Sequence, residues 1–169
     1  MNYKSEEKFL DIVEECLKNN GCKTWREVVP DGCKDWEKPY KVDLIFYRGD
    51  FGYVGVEGKN TRTLGQGGVI SDAVIQIEEK YRKQIYFNGN IINKWSIAVP
   101  LETGYLLEEG KESSQRIIIT FLRGFLKKKY DIDLLEYNKG SKWMTPRVTV
   151  SAYTKKVIKI GGENTYGKY

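Results

Sequence analysis

The chain has no histidine among its 169 residues. That absence excludes imidazole metal sites, Ser-His-Asp triads, Cys-His pairs and HNH-type nuclease centres. Any hydrolytic chemistry must run on carboxylates, lysine, tyrosine or a metal held by oxygen. Cysteine is scarce: Cys16, Cys22 and Cys33 are odd in number and form no C-x-x-C pair. A zinc site would lack its fourth ligand. Cys16 falls on an apolar helix face and reads as a small core residue. Cys22 and Cys33 can meet across a hairpin, but a chain kept in a reducing compartment holds its thiols free. No run of 18 apolar residues is present, so no membrane span is expected. The polar start, Met1 to Lys8, lacks the apolar segment of a signal peptide, so the expected location is the cytoplasm. Nor is there an internal repeat or a linker, and one domain with a real core is expected.

What is present is ordinary globular composition with a mild basic excess, 28 Lys and Arg against 23 Asp and Glu, net +5. That balance permits a polyanionic partner without specifying one. The densest signal lies between Tyr40 and Asn60. Tyr40 to Tyr47 and Tyr53 to Asn60 read as strands rich in Val, Ile, Tyr and Phe, joined by the Arg48–Gly52 turn. Strand alternation puts Val42, Leu44 and Phe46 on one face and Asp43 on the other. In the second strand Val54 and Val56 point one way, Glu57 and Lys59 the opposite way. A hairpin therefore gathers Asp43, Glu57 and Lys59 on one surface. Two carboxylates suit a hard divalent cation, and a lysine beside them can neutralise a phosphate or help deprotonate water. A Glu-x-Lys on a strand is otherwise most often a solvated face. Three contexts favour chemistry. Asp43 interrupts an apolar strand, where an unpaired carboxylate is costly. Gly55 and Gly58 weaken the strand unless something approaches closely. A long amphipathic helix follows a glycine-rich loop.

Around this hairpin the chain reads as alternating helices and strands. Ser5 caps a helix over Glu6 to Asn19 with Phe9, Leu10, Val13, Cys16 and Leu17 on one stripe, stopped by Gly21. Glu6 lies one turn before Phe9 and Leu10, on the buried side, where an acidic first turn also suits the helix dipole. Thr24 to Val29 is the first strand. Thr61 to Gly68 is a loop without a Gly-Lys-Ser/Thr, hence not a Walker loop. Its amides, with Arg62 and Gln66, can face a phosphate backbone, or the loop is a connector only. A second helix is expected from Val69 to Phe87, and Trp95 to Pro100 is a buried strand closing the sheet. Ser114 to Tyr130 reads as a helix ending in Lys127, Lys128 and Lys129, which suit a helix C-terminus and can equally touch phosphates. Ile132 to Tyr137 and one or two strands in the tail complete the pattern.

Pro39-Tyr-Lys-Val-Asp43 followed by Val56-Glu57-Gly58-Lys59 resembles the PD-(D/E)XK nuclease superfamily. The order of helix, strands, Asp, Glu-x-Lys, helix and strand is similar as well. The segment after Lys59 looks like that of restriction-enzyme nuclease domains, with a more distant likeness to archaeal Holliday junction resolvases. The likeness spans about residues 5–100, and Pro39 does not directly precede Asp43. It implies an α/β restriction-endonuclease-like sandwich with a central mixed sheet of four or five strands flanked by helices. It also implies a Mg²⁺-dependent endonuclease acting on DNA, with Mn²⁺ able to substitute. The implied metal ligands are Asp43, Glu57, the Gly58 carbonyl and a first-helix glutamate, for which Glu6 is the candidate. Lys59 would orient or activate water, assisted by Gln76 or Gln66. A non-catalytic nucleic-acid-binding module on the same fold is the alternative. Lys127 to Lys129, Lys155, Lys156 and the many tyrosines would suit it. A protein-interaction accessory is a third reading. Monomer and homodimer both stay open.

Overall fold

The first helix, α1, spans Glu6–Asn19, and both of its ends are set by local chemistry. The Ser5 hydroxyl accepts from the Lys8 N–H at 3.2 Å, satisfying one free donor of the first turn. Gly21 takes φ +76°. Its N–H donates to the Lys18 carbonyl and the Cys22 N–H to the Leu17 carbonyl, both at 3.0 Å, the paired bonds of a left-handed cap. Phe9, Val13 and Leu17 are fully buried. Each such side chain contributes about 2 kcal/mol of apolar burial, more than helix propensity supplies over the same turns. In this computed structural model the described residues are 5–50, 52–59, 68–87, 89–101, 122–138, 147–151 and 157–160.

The sheet is built from β1 (Lys23–Val28), β2 (Val42–Arg48), β3 (Gly52–Gly58), β6 (Lys94–Leu101), β7 (Ile132–Asn138), β8 (Arg147–Ser151) and β9 (Val157–Ile160), in the order β1-β2-β3-β6-β7-β8-β9. A small hairpin, β4 (Ile85–Tyr86) with β5 (Asn90–Ile91), stands apart. β1, β2 and β3 are antiparallel neighbours, while β3, β6 and β7 run parallel. This is a mixed sheet of the α/β class. The expectation of four or five strands fits the stretch from β1 to β7. The two tail strands extend the same sheet by antiparallel pairing, so β6 is its fourth and central strand and does not close it.

Two apolar layers flank the sheet. α1 packs Phe9, Val13 and Leu17 on Leu44, Phe46, Val54, Val56, Ala98 and Leu135. On the other face α2 (Val69–Ile75) and its π-helical continuation (Gln76–Tyr81) pack Ile70, Ala73, Val74, Ile77 and Tyr81 over Ile45, Trp95 and Ile97. A third helix, α3 (122–130), adds Leu126 to that layer. The second helix stops at Tyr81 instead of Phe87. The Arg82 N–H closes back on the Ile77 carbonyl at 2.9 Å, and the Tyr86 hydroxyl donates to the Tyr81 carbonyl at 3.0 Å. Ile85 and Tyr86 then leave as a strand pairing with Ile91 and Asn90.

Strand alternation also fails at one point. Leu44 and Phe46 lie in the α1 layer, but Val42 packs with Ile45 in the α2 layer. The cause is local. Glu27 adopts φ +48°, and the β1–β2 register pairs Arg26 with Leu44 and Val28 with Val42 while skipping Glu27 and Asp43.

Candidate active site

The skipped pair lies beside a second gap in the ladder. The β2–β3 register ends at Leu44 and Val56. Beyond it β3 stays with β6: Glu57 is in register with Ile97, Gly58 with Ala98, and the Lys59 N–H donates to the Ala98 carbonyl at 2.8 Å. The sheet therefore forks, with Asp43 on one prong and Glu57, Gly58 and Lys59 on the other. One carboxylate oxygen of Asp43, Oδ2, spans the fork to accept from the Gly58 N–H at 2.8 Å. Across the same prong Lys59 Nζ reaches Glu57 Oε1 at 2.7 Å. The three residues expected to gather on one surface thus do so.

The glycines on either side of Glu57 are where close approach requires them. A Cβ at Gly55 would run into the Trp95 ring, and one at Gly58 would meet Leu10 Cδ2 at 2.6 Å. Trp95 and α1 therefore press directly on the β3 backbone on either side of the acid.

Burial sets the electrostatics. Glu57 is 2% exposed. That burial, followed by the charge of Asp43, pushes its carboxyl up to about 7, against the opposing pull of Lys59. For Lys59 burial pulls the ammonium down, but Glu57, Glu6 and Asp43 outweigh it and the net direction is upward. Glu57 Oε2 is buried without a hydrogen-bond partner, a state that calls for a missing partner.

Sequence reasoning missed Tyr81. Its hydroxyl donates to the Lys41 carbonyl at 2.8 Å, two residues before Asp43, and its ring stacks on Trp95 at 5.7 Å. Burial first, then the charges of Glu57 and Asp43, drive its phenol well above the ordinary range. With its hydrogen committed to Lys41, Tyr81 lies beside Glu57 and still leaves Oε2 unsatisfied. On the helix stripe Tyr81 reads only as core. The π-helical turn, a feature frequent at functional sites, supplies the position and has no signature in composition.

The other expected residues are placed as follows. Glu6 is exposed, not buried, because the packed part of α1 begins at Phe9. Its charge still bears on both Glu57 and Lys59. Glu14, nearer the sheet, is engaged by Thr24 at 2.8 Å and Lys18 at 2.8 Å. Gln76 is half-buried at the start of the π turn, where Ile77 and Tyr81 take the buried positions. No hydrogen bond joins it to Lys59 among the described residues; Lys59 is held by Glu57. Arg62 and Gln66 lie outside the described residues. Lys127 is bound by Asp131 at 2.6 Å and Asp133 at 3.2 Å. Lys128 and Lys129 are exposed, Lys129 lying over the Phe125 and Tyr130 rings. This lysine run adjoins the start of β7, two strands away from Glu57, and does not join the fork.

As a cation site the fork offers two carboxylates. Among the described residues no three His, Cys, Asp or Glu side chains come together as a metal-holding group. Magnesium asks for one or two carboxylates and keeps its own waters, and the orphaned Glu57 oxygen suits it, so the donor set fits. Cys16, Cys22 and Cys33 are all free thiols. No helix among the described residues is long and apolar enough to cross a membrane. In comparisons with family models, with curated proteins and with solved structures, nothing matches this chain.

Proposed function

We propose that this protein is a metal-dependent endonuclease hydrolysing DNA phosphodiester bonds on a restriction-endonuclease-like sandwich. The observation that carries the reading is the forked ladder. It brings Asp43, Glu57 and Lys59 onto one face with a buried carboxylate oxygen left unsatisfied. Asp43, Glu57 and the Gly58 carbonyl would hold Mg²⁺, or Mn²⁺ in its place, while Glu6, exposed on α1, would act on the site through its charge alone. Such a cation would supply Lewis-acid charge at a scissile phosphate.

The chain's own residues do the rest. Gly58 N–H fixes the rotamer of Asp43 by holding Oδ2. Lys59 favours the ionised form of Glu57 by pairing with Oε1, against the stronger push of burial, and presents positive charge where a phosphate and an attacking water would meet. Tyr81 pins the backbone that leads into Asp43. The net charge of +5 suits a polyanionic substrate.

Calorimetric titration with Mn²⁺ and a plasmid-nicking assay test the reading together. Wild-type protein should bind Mn²⁺ and nick plasmid in its presence. Asp43→Asn should lower Mn²⁺ affinity, because amidation removes a charge that the cation needs. Wild-type protein that binds no Mn²⁺ and leaves plasmid intact would refute it.

A further inference from the structure

Arg26 lies outside the carboxylate face. It shares the α1 face with its register partner Leu44. Its Nε–H donates to the Asp43 carbonyl at 3.1 Å, and its Nη1 donates to Asp11 Oδ1 on α1 at 2.9 Å. The same nitrogen stands 3.7 Å from Glu14 Oε2. The site of the first bond matters. The β1–β2 register lapses at Glu27 and Asp43, and a backbone carbonyl that loses its ladder must be satisfied by another donor. Arg26 is that donor.

The guanidinium is thereby a joint between two elements. One is the strand that carries Asp43; the other is the helix that carries Glu6 and presses Leu10 on Gly58. A planar fork with donors at fixed angles can serve both at once, whereas an ammonium is a single point of charge.

We propose that Arg26 is a positioning residue for the site. It holds the Asp43 backbone out of the ladder so that the carboxylate stays on the Gly58 N–H, and it locks α1 against the fork. This rests on the nuclease reading for its bearing on turnover, though not for its bearing on geometry.

The test uses full-length Arg26→Met and Arg26→Lys. Amide hydrogen exchange on the metal-free protein should show loss of protection at Gly58, with Val54 in the same strand unchanged. Mn²⁺ affinity or kcat should fall by about 10–100-fold, the usual cost of losing a residue that orients a ligand, with KM for DNA unchanged. Lysine should rescue neither. Wild-type Gly58 protection with wild-type Mn²⁺ affinity in folded Arg26→Met would overturn the proposal. Full rescue by lysine would overturn it too, since charge alone would then suffice. If the methionine variant does not fold, the Gly58 amide of Arg26→Lys decides by the same criterion. If wild-type protein neither binds Mn²⁺ nor nicks DNA, the nuclease reading falls alone. Gly58 exchange then still decides whether Arg26 sets the fork.

Discussion

The lysine–carboxylate cluster at the fork and the one at the start of β7 differ in what the backbone does beneath them. At the start of β7 the ladder is intact, with Asp133 in register with Ser96. There Lys127 bridges Asp131 and Asp133, and the Asp131 side chain is 69% exposed. At the fork the ladder is open on both sides of Asp43. There, among the described residues, Lys59 pairs with Glu57, and Asp43 is held by a backbone amide. Similar residue types therefore make an ion pair that staples a helix end in one place and a converging acid pair in the other. Open backbone, more than the count of charges, separates them.

The sharpest way to break this comparison is to remove each lysine. Lys59→Ala should abolish plasmid nicking while leaving Mn²⁺ affinity undiminished, because a positive charge beside the cation is gone. Lys127→Ala should nick at the wild-type rate. It should lose stability on the order of 1–2 kcal/mol in urea melts, as expected for a partly solvated pair. Equal nicking by both variants would erase the distinction.

A pH series sharpens it next. The folded carboxyl of Glu57 titrates near 7 against an ordinary 4.5. Between those values the folded chain holds a proton that the unfolded chain releases, so metal-free stability should fall as pH rises through this window. The loss should level off above it, at up to about 3 kcal/mol in denaturant melts. Glu57→Gln should remove this dependence. Asp133 is also raised, chiefly by its own burial, and Asp133→Asn should leave the Glu57 dependence in place. A stability that is flat across the window in wild-type protein would contradict the burial of Glu57.

The smallest effect concerns the ladder itself. Glu27 sits at φ +48°, where a side chain is costly and glycine is not. Glu27→Gly should be neutral or stabilise by up to about 1 kcal/mol. Lys23→Gly, in the paired part of the same strand, should destabilise by about 0.5–1 kcal/mol. The two melts are read side by side.

Much of this is legible in the sequence. Ser5 and Gly21 bound α1 because caps are chemical, and the period-2 runs gave β2 and β3 because burial is one-sided. Glu57, Lys59 and Asp43 followed from alternation alone. Three things did not follow. Val42 packs in the other layer, beside the lapse in the β1–β2 pairing at Glu27. Helix two ended early because Ile85 and Tyr86 suit a strand as well as a helix. Tyr81 entered the site through a π turn. The first involves a strand partner distant in sequence, the second a short hairpin just downstream, and the third the seat that the Tyr81 hydroxyl finds on Lys41.

The contact between Gly55 and Trp95 has a bearing on how this protein can change over time. The two residues face each other in register on β3 and β6, and the indole fills the space that a methyl at position 55 would need. Volume at these two positions is shared, so neither can drift alone: overpacking here would push Trp95 against Tyr81 and so against the neighbour of Glu57. A related chain carrying alanine or larger at 55 should carry a smaller residue at 95. That exchange of bulk, found together with Asp43, Glu57 and Lys59, would mark shared descent more reliably than the three charged residues by themselves.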